Sequence, residues 1–344
     1  MGHHLHDIVN RLGRRGLAAA GGMLVALAVL VSTPQLLGSR VDAAIGSLDH
    51  ASMTWLWLAG AGFLAAVLGS AGSWLTAIRM CGGSLTAGDA CARYGAGSLV
   101  NTLVPARAGD AVRIGLFSRA LPNRERLWTT GGAFAALGAA RAVVLAALVV
   151  AGSLAGAMPL WPLLVLLGLV AVAVALAWRE RRRAAGGRLS HLLDAFRALG
   201  REPRYALRLV AWIALSTAGR LAAATAVGAA LGIRQPLAAA VVIVPALDVA
   251  GMLPLTPGNI GVTSGAIAMA FQAHGVSFTH GLAAGIAFHA VETTVGILFG
   301  LGSVIWLAPY PSPAMRRLAL AGAAAMGCLG VAGAFSATVL VPLV

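Results

Sequence analysis

Several ionisable side chains of this 344-residue chain stand inside runs of apolar residues: Arg141, Arg220, Asp248, His289 and Glu292. A charge at the centre of a membrane-spanning helix costs at least about 2.5 kcal/mol on insertion scales. Such groups are therefore expected to turn inward and neutralise one another. Pairing of Arg141 or Arg220 with Glu292 or Asp248 would do this, although spacing alone does not choose the partners. Around His289 and Glu292, the residues Gly285, Gly296 and Gly300 recur at three- to four-residue intervals or their multiples. They make one small, polar helix face suited to close packing or to a groove. His289 and Glu292 there fit either a proton relay or a buried structural network, with Asp248 as a further member.

Two other stretches combine apolar residues with helix breakers. The first, Gly95 to Phe117, reads GAGSLVNTLVPARAGDAVRIGLF. Asn101 and Thr102 offer hydrogen-bonding groups, Pro105 ends a helix, and Gly109 permits a close turn. Arg107 can then fork onto an anion, with Asp110 and Arg113 three residues apart on one helix face. This is the chemistry of a phosphate-headgroup clamp; the plainer reading is a loop held by an Arg–Asp bridge. The second, Pro245 to Phe271, reads PALDVAGMLPLTPGNIGVTSGAIAMAF. Pro245, Pro254 and Pro257 are expected to break the helix repeatedly, and Gly258 and Gly261 to allow a tight turn. Asn259, Thr263 and Ser264 would open a new helix whose free amides attract anions.

The elements that must position these groups follow from composition. The chain is 59% apolar and only 10% charged, with a mean hydropathy of +0.86, where a soluble protein carries roughly a quarter charged residues. Its 25 basic residues are all Arg and face 11 acidic ones. They cluster between the apolar runs, as in loops facing anionic headgroups, and not as in a nucleic-acid-binding surface. The three cysteines, Cys81, Cys91 and Cys328, lack metal-ligand spacing and read as small apolar fillers. No metal, cofactor or catalytic group is expected. Spans of about 20 apolar residues fit at 17–33, 54–78, 128–156, 160–178, 206–232, 281–307 and 316–341, with broken segments near 85–104 and 237–273. Arg-rich loops before the first, third, fifth and last spans place the N-terminus in the cytoplasm of a multi-pass plasma-membrane protein. The fold class is thus all-α: about seven full spans plus two broken or re-entrant segments. As one membrane domain it divides into a first half, 17–178, with its broken segment within 85–120, and a second half, 206–344, with 237–273. An inner loop at 179–205 carries Leu189, Leu192, Leu193, Phe196 and Leu199 at helical spacing, as in a helix lying on the membrane surface. Broken segments entering from opposite faces suggest an inverted repeat, a transporter arrangement.

The two broken segments resemble the flippase-like family that includes the membrane part of lysylphosphatidylglycerol synthases. The N-x-x-x-P-x-R-x-G-E-x-x-R pattern appears as Asn101, Pro105, Arg107, Gly109, Asp110 and Arg113, with Asp for Glu. The P-G-G-hydrophobic-G-x-x-E pattern appears as Pro257, Gly258, Asn259, Ile260 and Gly261, with Ser264 where Glu is usual. The resemblance implies movement of a lipid with a polar, phosphate-containing headgroup between leaflets. Asn101, Thr102, Arg107, Asp110, Arg113, Arg141, Arg220, Asn259 and Ser264 would line its path. No soluble aminoacyl-transferase domain follows the apolar segment ending at Val344, so a separate enzyme is expected to make the lipid. No ATP-binding glycine-rich motif is present, so net pumping would draw on an ion gradient or the membrane potential. Two other readings stand beside this one. A membrane glycosyltransferase using a polyprenyl-phosphate sugar would use acidic residues such as Asp42 and Asp49 in the first outer loop. A transporter of soluble solutes would need a closed aqueous cavity.

Overall fold

The computed structural model describes residues 51–103, 108–122, 125–157, 168, 202–250, 260–272 and 275–308. The expected spans at 17–33, 160–178 and 316–341 fall outside these residues except at position 168. Nearly all of the inner-loop helix falls outside them too, with Pro105, Arg107, Pro254, Pro257, Gly258 and Asn259. The described residues form helices, with no strand among them. In chain order these are α1 (Met53–Met80), α2 (Ala87–Leu103), α3 (Ala108–Ser118), α4 (Arg126–Leu154), α5 (Pro203–Ala230), α6 (Pro236–Ala250), α7 (Ile260–Gln272) and α8 (Phe278–Leu307). Among them α1, α4, α5 and α8 are long and apolar enough to cross a bilayer. Helices dominate because a chain in hydrocarbon must satisfy every backbone polar group within its own segment or barrel.

Small residues set the packing. α1 and α5 run antiparallel in close contact, and a Cβ built on Gly219 would stand 2.6 Å from the Gly62 carbonyl and 2.7 Å from the Ala66 nitrogen. A Cβ on Gly69 would likewise meet the backbone of Ser216 at 2.6 Å. With no hydrophobic force between helices in lipid, such backbone approach is a principal source of association. One apolar cluster unites α1, α5, α6, α7 and α8, with the Phe63 and Phe288 rings edge to face at 4.8 Å. A second joins α1 to the α2–α3 pair, α4 and α5, with Trp74 stacked on Phe117 at 4.6 Å. Large apolar side chains such as Val143, Leu154 and Leu207 face outward, as lipid contact requires.

α1 and α5 end alike. Gly82 (φ +82°) and Gly232 (φ +66°) take the left-handed conformation, which costs glycine least. The next amides, of Gly83 and Ile233, then bond back to Ile78 and Gly228 at 3.0 Å, closing each helix. A short helix pair follows each: α2–α3 after α1, and α6–α7 after α5. α2 packs on α8, and α6 on α4.

One expectation requires correction. Pro245 does not break the chain but lies inside α6. The missing amide leaves the carbonyl four residues earlier without its usual donor, a local loss that membrane helices tolerate when neighbours re-satisfy the group.

The start of α2 is locked by a reciprocal cap. The Thr86 hydroxyl accepts from the Asp89 amide at 3.1 Å and donates to the Asp89 carboxylate at 2.7 Å. The Trp306 indole at the end of α8 donates to the same carboxylate at 3.1 Å. These donors, Thr86 first, hold the Asp89 carboxyl below the usual carboxylate range. Thr86→Ala is expected to cost about 1 kcal/mol. Hydrogen exchange should show that loss as faster opening confined to the first turn of α2.

Candidate functional site

α8 serves as a ruler for the site. α2 runs antiparallel to it: Gly88 lies against Trp306, Gly95 against Ser303, Leu99 against Gly300, and Thr102 at 3.7 Å from a Cβ built on Gly296. α7 meets α8 from the other end, with Ala268 against Gly281 and Ser264 against Gly285. Both interrupted pairs therefore come to the middle of α8. His289 and Glu292 lie between the two contact zones, and Glu292 is near the centre of the Phe278–Leu307 helix.

The charged side chains fall into two clusters. In the first, Arg113 of α3 donates to the Asp110 carboxylate at 2.6 Å and to the Ser98 hydroxyl at 2.7 Å. Its guanidinium lies 4.3 Å from the centre of the Tyr94 ring. Asn101 of α2 donates to the same Asp110 oxygen at 3.1 Å. The crossing of α2 and α3 is tight because Gly97 and Gly109 face each other: a Cβ on Gly109 would collide with the Gly97 carbonyl and the Asn101 side chain. That contact gives Gly109 its reason, beyond the turn expected from its type.

In the second cluster, Arg141 of α4 grips Asp248 of α6 with two bonds, Nε at 3.1 Å and Nη2 at 2.9 Å. Arg220 of α5 donates a short third bond to the same carboxylate. Asp248 thus carries three charge-assisted hydrogen bonds with only 12% of its side chain exposed. Glu292 differs. It lies 3.8 Å from Arg220 Nη2 and 3.8 Å from His289 Nδ1, beyond hydrogen-bond distance of both, and is 36% exposed. Arg141 is 40% exposed near the centre of its span. Partly exposed charges at that depth are costly in hydrocarbon and favour polar surroundings.

Buried Asn101 Oδ1, Arg220 Nε, Ser264 Oγ and His289 Nδ1 have no hydrogen-bond partner among the described residues. Buried polar atoms are normally paired, so these leave capacity for water or a ligand. Asn259 lies outside the described residues, and Gly261 is in the first turn of α7.

The structure also brings in residues that the spacing analysis passed over. Tyr94, beneath the Arg113 guanidinium, lies near Ser70 and in electrostatic range of Arg141 and Arg220. Ser70 in turn hydrogen-bonds Ser216 at 2.9 Å across the α1–α5 contact. A polar stripe was there to find, since Tyr94, Ser98, Asn101 and Thr102 fall on one face of α2.

A bundle of apolar helices with charges paired at mid-depth defines a multi-pass α-helical membrane protein. Residues 18–300 match the family described as lysylphosphatidylglycerol synthase TM region, and the chain belongs to that family. No curated protein matches the chain. The family places the chain with proteins of lipid-related function in membranes.

Proposed function

We propose that the protein moves a lipid with a phosphate-containing headgroup between leaflets, as a flippase or scramblase. The headgroup would pass through the groove fronted by Arg141 while the tails stay in hydrocarbon. The observation that carries this reading is the half-exposed Arg141 guanidinium near mid-span. Its Nε and Nη2 are committed to Asp248, and the remaining Nη1 is available to a phosphate oxygen. Arg107, Asn101 and Thr102 would receive the headgroup at the tip of the first broken pair. Arg113, Asp110 and Arg220 would keep the walls polar, and Asn259 and Ser264 would line the tip of the second.

In this reading α2–α3 and α6–α7 are re-entrant pairs, and the two halves are an inverted repeat. The antiparallel α1–α5 contact and the packing of α2 on α8 and of α6 on α4 support it. The N-terminus is cytoplasmic in a plasma membrane, and a separate enzyme supplies the lipid. Arg141→Gln keeps length and polarity but removes the charge. In reconstituted vesicles it is expected to slow lipid exchange at least about tenfold, the loss of one charge-assisted bond of roughly 1.5–3 kcal/mol. Arg234→Gln, in the exposed turn after α5, is expected to exchange at the wild-type rate. Equal rates for all three proteins would contradict the groove.

A further inference from the structure

We infer that lipid movement is coupled to a proton carried on Glu292, one proton accompanying each singly charged anionic headgroup. This rests on the translocation reading and adds its energetics. The two acids of the midplane cluster are not equivalent. Asp248 is saturated by three charge-assisted bonds from two guanidiniums. Glu292 has neither neighbour within hydrogen-bond distance, standing 3.8 Å from Arg220 and 3.8 Å from His289. Arg220 Nε and His289 Nδ1 are buried beside it without partners.

The groups around Glu292 can be followed element by element. Arg220 faces it from α5, with Asp248 of α6 and Arg141 of α4 joined behind Arg220. Tyr94 of α2 lies in electrostatic range of Arg220. His289 is one turn away on α8 itself. α7, Ile260–Gln272, brings no ionisable side chain, and from α1 the approach to α8 near Gly60 is apolar, through Val291 and Val295.

The two guanidiniums and two carboxylates of this cluster balance in charge. A phosphodiester entering that arrangement would leave a net negative charge at mid-depth, which the low-dielectric surroundings oppose. Protonating Glu292 removes one negative charge and its attraction for Arg220 Nη2, so that Nη2 and the already unpaired Nε can both turn to the incoming phosphate. Proton and anion thus raise each other's affinity, as linkage requires. The proton binds a Glu292 carboxylate oxygen, with His289 positioned to deliver or accept it. The loaded site carries no net charge, so the lipid and its proton cross together without moving charge.

That gives a test in which the driving force itself is the readout. Wild-type protein is reconstituted into vesicles with chain-labelled phosphatidylglycerol, or separately a labelled polyprenyl phosphate sugar. Each is exposed to a pH gradient without a potential, or to a potential without a pH gradient. A gradient of one pH unit should enrich the lipid in the leaflet on the alkaline side about tenfold, the equivalent of one proton per lipid. A potential of about 60 mV should have no effect. Glu292→Gln should lose the response to pH and acquire a response to potential, about tenfold for that voltage, because the anion then crosses alone. A wild type driven by potential and indifferent to pH would overturn the inference, as would a Glu292→Gln protein that still follows the pH gradient. Should the variant fail to fold, proton uptake by wild-type protein in weakly buffered detergent reports the same coupling. About one proton per bound phosphatidylglycerol supports it, and none overturns it. A wild type that moves neither probe under any condition fails at the translocation reading, a result distinct from lipid exchange without proton coupling.

Discussion

Asp248→Ala is expected to destabilise the protein more than any other single substitution in the bundle. The change leaves Arg141 and Arg220 side by side at mid-depth without the carboxylate that binds both. Removing one partner of a buried ion pair costs about 3–5 kcal/mol, because the surviving charge keeps its burial and loses its compensation. Here two charges are stranded and also repel each other. Glu292 cannot replace the lost anion without moving, since it lies 3.8 Å from Arg220. The variant should aggregate on fluorescence-detected size-exclusion chromatography under conditions where the wild type is monodisperse. The double variant Asp248→Ala with Arg220→Met should recover part of the loss, because it strands one fewer charge. An Asp248→Ala protein as heat-stable as the wild type would show that the pairs do not hold the helices together.

The second large effect concerns helix contact and not charge. Gly219→Val places a branched side chain where a single Cβ already stands 2.6 Å from the Gly62 carbonyl and 2.7 Å from the Ala66 nitrogen. Both obstacles are backbone, so no rotamer change relieves them and α1 must move from α5. Overpacking costs typically about 1–3 kcal/mol, and the loss of a close small-residue interface adds to it. Gly138→Ala is the matched control, since a Cβ there meets nothing within 4 Å. It should be neutral or stabilising by up to about 1 kcal/mol, the ordinary gain of alanine over glycine in a helix. Thermal midpoints in detergent for the three proteins should rank Gly138→Ala at or above wild type, with Gly219→Val well below. A tolerated valine would mean that α1 and α5 are not packed backbone to backbone.

Much of this architecture was legible in the sequence because the bilayer leaves the chain few choices. The apolar runs at 54–78, 128–156, 206–232 and 281–307 lie within a few residues of α1, α4, α5 and α8. The breaks were harder. Pro105 and the Pro254–Pro257 stretch advertise interruptions but lie outside the described residues, and Pro245 carries the same signal inside a continuous helix. A proline reports a missing donor, and whether the helix continues depends on neighbours that the sequence does not reveal. Partner choice was illegible for a similar reason. Arg141 and Asp248 are 107 positions apart, and nothing in spacing separates Asp248, which binds two arginines, from the nearly free Glu292. Tyr94 went unread because an aromatic residue in an apolar helix ordinarily signals packing. Its role emerges only when α3 lays Arg113 over the ring.

The central claim is that this chain carries lipid across the bilayer. Its most direct test is the exposure of inner-leaflet label in vesicles containing the purified wild-type protein. Labelled phosphatidylglycerol and a labelled polyprenyl phosphate sugar would each be challenged with a membrane-impermeant quencher. In protein-free vesicles roughly half the label, the outer leaflet, is lost. With the protein present, quenching of at least one lipid should proceed within minutes toward completion, apart from vesicles that received no protein. Quenching that stops at the protein-free level for every lipid, with and without a proton gradient, would contradict the account. It would also turn attention to the acidic first outer loop and to sugar transfer from a polyprenyl phosphate.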